Sequence, residues 1–322
     1  MMIKNSLNFS ILIATKNRPK ELVLLLDSIA KSTILPSKLV IVFAGNDINQ
    51  IVADYTSKLN IELIKSEIAS QIFQKSEGIK ALKSNEGWVL FLDDDVLIDS
   101  KAIEILANHY VCNDKYSQYV GFGLAIKNIN YRNLSLLSKL LLYIFKLYSF
   151  KPGAITKSGH PQSYLYRNFN CDVSWLNGIS LWRSDVIQTY VNNDLIVDYS
   201  SYEDVIFSYN LSKTYKLRFL SDVFVTSQIQ MAPQITSTLQ FVHGSYLRYY
   251  FVDINKEFSK FWLLTAQILR NIEYILIAKD DFNLYNRVKV AMDVWFSLFE
   301  ASIKKTNGVE LINTKLKNRN SV

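Results

Sequence analysis

The chain has 322 residues, 49% of them hydrophobic and 13% aromatic, with 10 Gly and 5 Pro, enough apolar material for one large α/β domain and an appendage. Cys112 and Cys171 are its only cysteines, which excludes a disulfide framework and a four-thiolate zinc site and suits reduced thiols in the cytosol. The net charge of +7, from 36 Lys and Arg against 29 Asp and Glu, favours anionic partners, but the basic residues are scattered without a nucleic-acid-binding motif, so no nucleic acid partner is expected.

Charged residues make up 20% of the chain, below the usual quarter, so apolar surface is expected outside the core as well as in it. The apolar stretch near the N-terminus is too short for a signal peptide and is followed by charges, which predicts no export.

Phe9–Ala14 is a short apolar run that predicts a buried strand, and Pro19 then suits the first turn of a helix with Leu22, Leu25, Leu26 and Ile29 on its buried stripe. Leu39–Phe43 predicts a second strand, ending at Ala44-Gly45. A helix over 48–58, a strand at 61–64 and a helix over 72–82 follow. Strands alternating with helices predict βαβ units and a mainly parallel sheet. No GxGxxG follows the first strand and no GxxxxGK[ST] occurs, which disfavours a dinucleotide-binding Rossmann domain and a P-loop NTPase.

Trp88–Leu92 is apolar throughout and runs into three consecutive carboxylates, Asp93, Asp94 and Asp95. In a parallel sheet covered by helices, ligands bind beyond the carboxyl ends of the strands, where these aspartates project. Adjacent carboxylates repel unless they are solvated or share a cation, and hard oxygen ligands there suit Mg²⁺ or Mn²⁺ bridging to a diphosphate. The alternative is a solvated turn capping a helix over 101–110.

Leu134–Phe150 reads as one helix, apolar almost all round, with Lys139 and Lys146 on a narrow polar strip, a pattern of core helices and of helices lying in a membrane interface. Two further apolar helices are expected over 258–278 and 288–303, and the residues from about Thr306 are expected to fray. Between them, Cys171–Arg183 holds an apolar run broken by Asn177-Gly178, where glycine permits close approach of backbone to a ligand. Tyr202-Glu203-Asp204 then opens a helix. Its carboxylates are either caps stabilised by the dipole or a general base facing a substrate hydroxyl.

Taken together, ILIATKNRPKEL, the Gly45 turn, QKSEGIKALKSNEGWVLFLDDDV, DVSWLNGISLWR, YEDVIFSYNLSKTYKLRFLSD and YLRYYFVDIN resemble the family 2 glycosyltransferases, which have the GT-A fold. The resemblance runs from about Phe9 to Asn255. It implies an α/β class with a GT-A-like mainly parallel sheet flanked by helices, a nucleotide-sugar half over about 1–125, an acceptor half over about 126–255 and a helical C-terminal appendage over 256–322.

For the site, the resemblance implies that Thr15, Asn17, Arg18 and Gly45 lie at the nucleotide, Lys75 near the diphosphate, and Asp93 and Asp94 along the donor. Asp95 would hold a divalent metal, Mn²⁺ or Mg²⁺. Asp204 would be the catalytic base, with Trp175, Asn177, Gly178 and Glu203 on the acceptor side. Phe43-Ala44 stand where the family usually has an acidic residue, Thr226-Ser227-Gln228 where many members carry a metal-binding histidine, and His243, fifteen residues later, is the substitute ligand.

The function so implied is an inverting, metal-dependent transfer from a nucleotide-diphosphate sugar to a saccharide acceptor, lipid-linked, in cell-surface polysaccharide synthesis. The expected location is the cytoplasmic face of the plasma membrane, held peripherally at an anionic surface. Two rivals are a sugar-phosphate nucleotidyltransferase, whose glycine-rich signature is missing after the first strand, and a degenerate transferase acting as a carbohydrate-binding or complex partner.

Overall fold

The computed structural model describes residues 8–82, 87–129, 134–188, 202–231, 237–278 and 282–316. The chain divides into two compact units, one of Met1–Ile129, Tyr164–Asp198 and Phe207–Met231, the other of Asn130–Ser163, Tyr199–Ile206 and Ala232–Val322.

In chain order the elements are β1 (Phe9–Lys16), α1 (Pro19–Ala30), β2 (Lys38–Ala44), α2 (Asn49–Ala53), β3 (Ile61–Lys65), α3 (Gln71–Ala81) and β4 (Trp88–Asp93). Next come β5 (Val96–Ile98), α4 (Ala102–Ile105), β6 (Tyr119–Ile129), α5 (Leu136–Ile144), β7 (Cys171–Val173), β8 (Ser180–Arg183), α6 (Ser184–Ile187), α7 (Glu203–Ser212) and β9 (Lys216–Met231). Helices α8 (Thr238–Ile254), α9 (Lys260–Ile277), α10 (Leu284–Lys304) and α11 (Gly308–Lys315) end the chain.

The strands of the first unit form one sheet in the order β3-β2-β1-β4-β8-β6-β9-β5, with β7 also on β9. β3, β2, β1 and β4 are mutually parallel. β8 then runs antiparallel to β4 and β6, and β9 runs parallel to β6 and antiparallel to β5 and β7. The apolar runs of β1, β2 and β4 are buried along most of their length, as strands covered on both faces must be. Leu22, Leu25, Leu26 and Ile29 of α1 are buried at the helical spacing that the sequence predicts.

Three predicted helices are shorter than the pattern suggests. α2 stops at Ala53, where the Thr56 hydroxyl takes up the Ala53 carbonyl and the Tyr55 hydroxyl bonds the Val23 carbonyl and the Asp27 carboxylate. α4 gives way to a wider π-helical turn, Leu106–Val111, closed by the Cys112 amide on the Ala107 carbonyl. α5 ends at Ile144, before Lys146 turns left-handed at φ 56°, and the amides of Leu147 and Tyr148 fold back onto the Leu142 carbonyl.

In the second unit α8 is buried all round from Phe241 through Val252 and serves as its core, polar residues included. The Phe241 ring stacks on Tyr274 of α9 with centroids 4.2 Å apart. The predicted fraying from Thr306 does not hold over residues 306–316, and 317–322 lie outside the described residues. α11 is ordered because Leu311 and Ile312 are buried and the Gly308 amide bonds the Asp253 carboxylate. A Cβ at Gly308 would lie 2.7 Å from Tyr250 Cα, so only glycine admits this approach to α8. The predicted boundary at 255 also differs from the compact units, which group α8 with α9, α10 and α11. Among the described residues no helix is long and apolar enough to cross a membrane.

Candidate active site

β1 and β4 are parallel neighbours with Ala14 opposite Asp93, so both strands deliver their C-terminal residues to one edge of the first unit. There the Thr15 hydroxyl donates to Asp94 Oδ2 at 2.7 Å. Arg18 Nη1 donates to Asp94 Oδ1 at 2.9 Å and to Asp95 Oδ2 at 2.8 Å. Asp94 is buried, and burial raises its carboxyl above the usual range against the opposing pull of Thr15 and Arg18. Asp95 is held by Arg18 alone among the described side chains.

Asp93 turns towards two other elements. Its Oδ1 accepts from Gln71 Nε2 of α3 at 3.1 Å. A Cβ at Gly178 would sit 3.1 Å from both Asp93 carboxylate oxygens, so the Asn177-Gly178 turn comes as near as a residue without a side chain allows. Trp175 is buried beside Tyr164, centroids 5.0 Å apart, and the Asn177 amide donates to the Tyr164 hydroxyl.

The turns after β1 and β2 interlock. Gly45 has φ 87°, a Cβ there would overlap Asn17 Oδ1, and the same oxygen accepts the Asn46 amide at 2.9 Å. Thr15, Asn17, Arg18, Gly45, Asp93, Asp94, Asp95, Asn177 and Gly178 therefore all lie in the first unit. Lys75 does not reach open space. It is 3% exposed on α3, its ammonium 5.9 Å from the centroid of the Phe91 ring.

Two contributors were not foreseen. Gln71 orients Asp93, and Gln228 supports the third aspartate from β9: its amide donates to the Asp95 carbonyl at 2.9 Å, and its side chain bonds the Glu21 and Val96 carbonyls. The signal for Gln228 was its place in the stretch where the family carries a histidine.

In the second unit Glu203 and Asp204 open α7. Glu203 Oε2 accepts the Asp204 amide and Asp204 Oδ1 the Val205 amide, both at 2.7 Å, so each carboxylate serves the positive end of its own helix. Glu203 is buried and Asp204 half-buried. His243 lies in the buried stretch of α8, and no group of three or more His, Cys, Asp or Glu side chains able to hold a metal occurs among the described residues. His109 is exposed on the π-helical turn.

Residues 10–168 match the sequence model of the family described as Glycosyl transferase family 2. The chain carries a family 2 glycosyltransferase domain. This glycosyltransferase has a GT-A fold, as comparison with solved structures shows. The structure of GalNAc-T7 with UDP, GalNAc and Mn²⁺ is 12% identical with a TM-score of 0.56, over 97% of this chain and 58% of that one. S. aureus TarS is 16% identical with a TM-score of 0.51, over 91% of this chain and 55% of TarS. No curated protein sequence matches the glycosyltransferase.

Proposed function

We propose that the protein transfers a sugar from a nucleotide-diphosphate donor to a hydroxyl of a saccharide acceptor with inversion at the sugar carbon, in the synthesis of cell-surface polysaccharide. The observation that carries this is the carboxylate cluster at the end of β4, tied to Thr15 and Arg18 of β1 and its turn and approached by the backbone at Gly178. A diphosphate needs cations beside it, and the cluster has the hard oxygens to recruit one.

The donor set fits Mn²⁺ or Mg²⁺. Asp95 is a carboxylate with a single side-chain partner among the described residues, and such ions complete their shells with diphosphate oxygens and water rather than with a full protein cage. GalNAc-T7 was solved with Mn²⁺ and UDP, which supports the reading. Asp95 would hold the ion, and His243 is not needed for it. When bound, the ion would offset charge on the leaving diphosphate. With an ion held at Asp95, Arg18 would keep its contact to Asp94 and offer its remaining guanidinium donors to the donor phosphates. Asp93, fixed by Gln71, would orient the donor sugar or ribose. Asp204 would take the proton from the attacking acceptor hydroxyl.

The acceptor is lipid-linked in this proposal, and the protein docks peripherally on the cytoplasmic face of an anionic membrane. α5 buries none of its residues and exposes Leu136, Leu137, Leu140, Leu141, Tyr143 and Ile144, with Leu137 at 79%. Between Asn130 and Ser163 the chain holds Arg132, Lys139, Lys146, Lys151 and Lys157 but neither Asp nor Glu. Basic residues at an anionic surface contribute about 1 kcal/mol each. The Lys146 ammonium lies over the rings of Tyr143 and Trp262, 4.9 and 5.4 Å from their centroids, which links α5 to the start of α9, where Phe261 is exposed as well.

The test is release of nucleoside diphosphate from a panel of nucleotide sugars, with and without Mn²⁺. One donor is expected to be hydrolysed slowly without an acceptor. No release from any donor, with or without the ion, overturns the proposal.

A further inference from the structure

The buried polar groups of the second unit are not all satisfied. Arg248 of α8 is 7% exposed and makes no ion pair with a carboxylate among the described residues, and its Nε–H has no hydrogen-bond partner. Its guanidinium lies over the Tyr202 ring, 5.5 Å from the centroid. Burial pulls it down to about 10, so it stays cationic at neutral pH. A buried cation with no directly paired carboxylate among the described residues is costly, and only Tyr202 and the Glu273 charge, itself paired with Arg270, offset it.

A second orphan lies in the same cluster. His160 is 8% exposed, and its Nδ1 is 3.0 Å from the Ser158 hydroxyl oxygen. The Ser158 hydroxyl itself donates to the Lys146 carbonyl, so Nδ1 carries the hydrogen of that contact. His160 Nε2 is left buried with no partner. Burial, with Arg248 and Arg270 nearby, holds the ring neutral. Arg270 is already neutralised by Glu273 at 2.6 Å, which leaves Arg248 as the surplus charge.

The segments that carry the two orphans are packed against each other. Gly159, at φ 81°, lets the segment before His160 press on α8, where a Cβ would lie 2.7 Å from Val252 and 3.4 Å from Arg248 Cγ. The Tyr202 hydroxyl donates to the Gly159 carbonyl and its ring meets Phe251 edge-on at 5.6 Å. Tyr202 stands two residues before Asp204, so this cluster is anchored to the start of the helix that bears the proposed base.

We propose that Arg248 and His160 form an anion subsite that takes a phosphate group carried by the acceptor. The guanidinium offers a planar fork of donors that suits a tetrahedral oxyanion, and a bound phosphate would draw a proton onto His160 Nε2 and supply both missing partners at once. The inference rests on the proposed transfer reaction and narrows its acceptor to phosphate-bearing saccharides or polyols.

The test uses the full chain with ¹⁵N-labelled histidine, which has only three imidazoles to resolve. Inorganic phosphate and glycerol 3-phosphate are titrated in, and His160 is expected to shift saturably and to titrate at higher pH when either is bound. Arg248→Met should abolish the shift and Arg248→Lys should weaken it. No shift of His160 in the wild-type protein at tens of millimolar phosphate overturns the proposal, whether or not the variants fold. A shift with phosphatidylglycerol vesicles but with neither soluble phosphate assigns the cluster to a lipid headgroup and overturns the acceptor reading. Donor hydrolysis by the wild-type protein is followed in parallel: it persists if only the anion subsite is wrong and is missing if the transfer reaction itself is wrong.

Discussion

Arg18 and Asp95 are joined at 2.8 Å, and through the same Nη1 atom Arg18 also holds Asp94. One guanidinium nitrogen thus stands between two carboxylates, and Asp95 has no other side-chain partner among the described residues. Asp95 Oδ1 has no side-chain partner among the described residues, so Asp95 could hold a divalent ion beside this contact. Asp95→Asn is therefore expected to abolish transfer and to remove the Mn²⁺ dependence of donor affinity, with the melting temperature little changed. Calorimetric titration of donor with and without Mn²⁺ checks it, and full activity in excess chelator would falsify the metal assignment.

Asp94 carries the opposite balance. Burial raises its folded-state pKa above the unfolded value near 3.8, so the protonated form is favoured by folding and ionisation costs stability. That stability is present below the unfolded pKa and lost as pH rises through the folded one. Asp94→Asn, a permanent stand-in for the neutral acid, should raise the melting temperature at pH 7. The gap to the wild type should narrow as pH falls towards 4, while donor affinity declines throughout. A variant less stable than the wild type at pH 7 contradicts this.

Gly178 is limited by its distance to Asp93. In Gly178→Ala the new methyl, 3.1 Å from both carboxylate oxygens, pushes Asp93 or the turn by a few tenths of an ångström. Donor KM should rise several-fold with kcat reduced and the melting point nearly constant. An unchanged KM means that Asp93 does not touch the donor.

Asp204 is assigned the proton transfer. Asp204→Asn keeps its size and its acceptance of the Val205 amide but cannot take a proton. Turnover should fall by roughly a hundred- to ten-thousand-fold with donor binding nearly intact. Normal turnover with weak donor binding reassigns the residue.

The exposed face of α5 predicts lipid binding. Replacing Leu137, Leu141 and Ile144 by Ser should shift the protein from floating to sedimenting fractions with anionic liposomes, leaving donor hydrolysis measurable. If the wild-type protein fails to float even at low salt, α5 has another partner.

The parallel half of the sheet was legible because β1, β2 and β4 are uninterrupted apolar runs and α1 repeats its leucines at helical spacing. The aspartates were legible for the same reason, since a buried strand announces where it stops. Lys75 was not, because QIFQKSEGIKA has no dominant apolar face and does not say which side of α3 is inward. α8 was hidden differently. His243, Ser245, Tyr246, Arg248, Tyr249 and Tyr250 look like a wet surface in a linear sequence, yet all are buried, because tyrosine and arginine are apolar along most of their length. The stop of α5 depended on the left-handed turn at Lys146, a residue with no glycine-like signature.

Gln228 sits beside the Asp95 carbonyl on β9, where its side chain secures two backbone carbonyls. Glutamine and histidine codons differ only in the third base. The lineage of this enzyme is thus one nucleotide change away from placing an imidazole on that strand, at the expense of the two carbonyl bonds. An imidazole there would stand beside the residue proposed to hold the ion, so the strength of ion binding would change with a single codon while the sheet itself is left as it is.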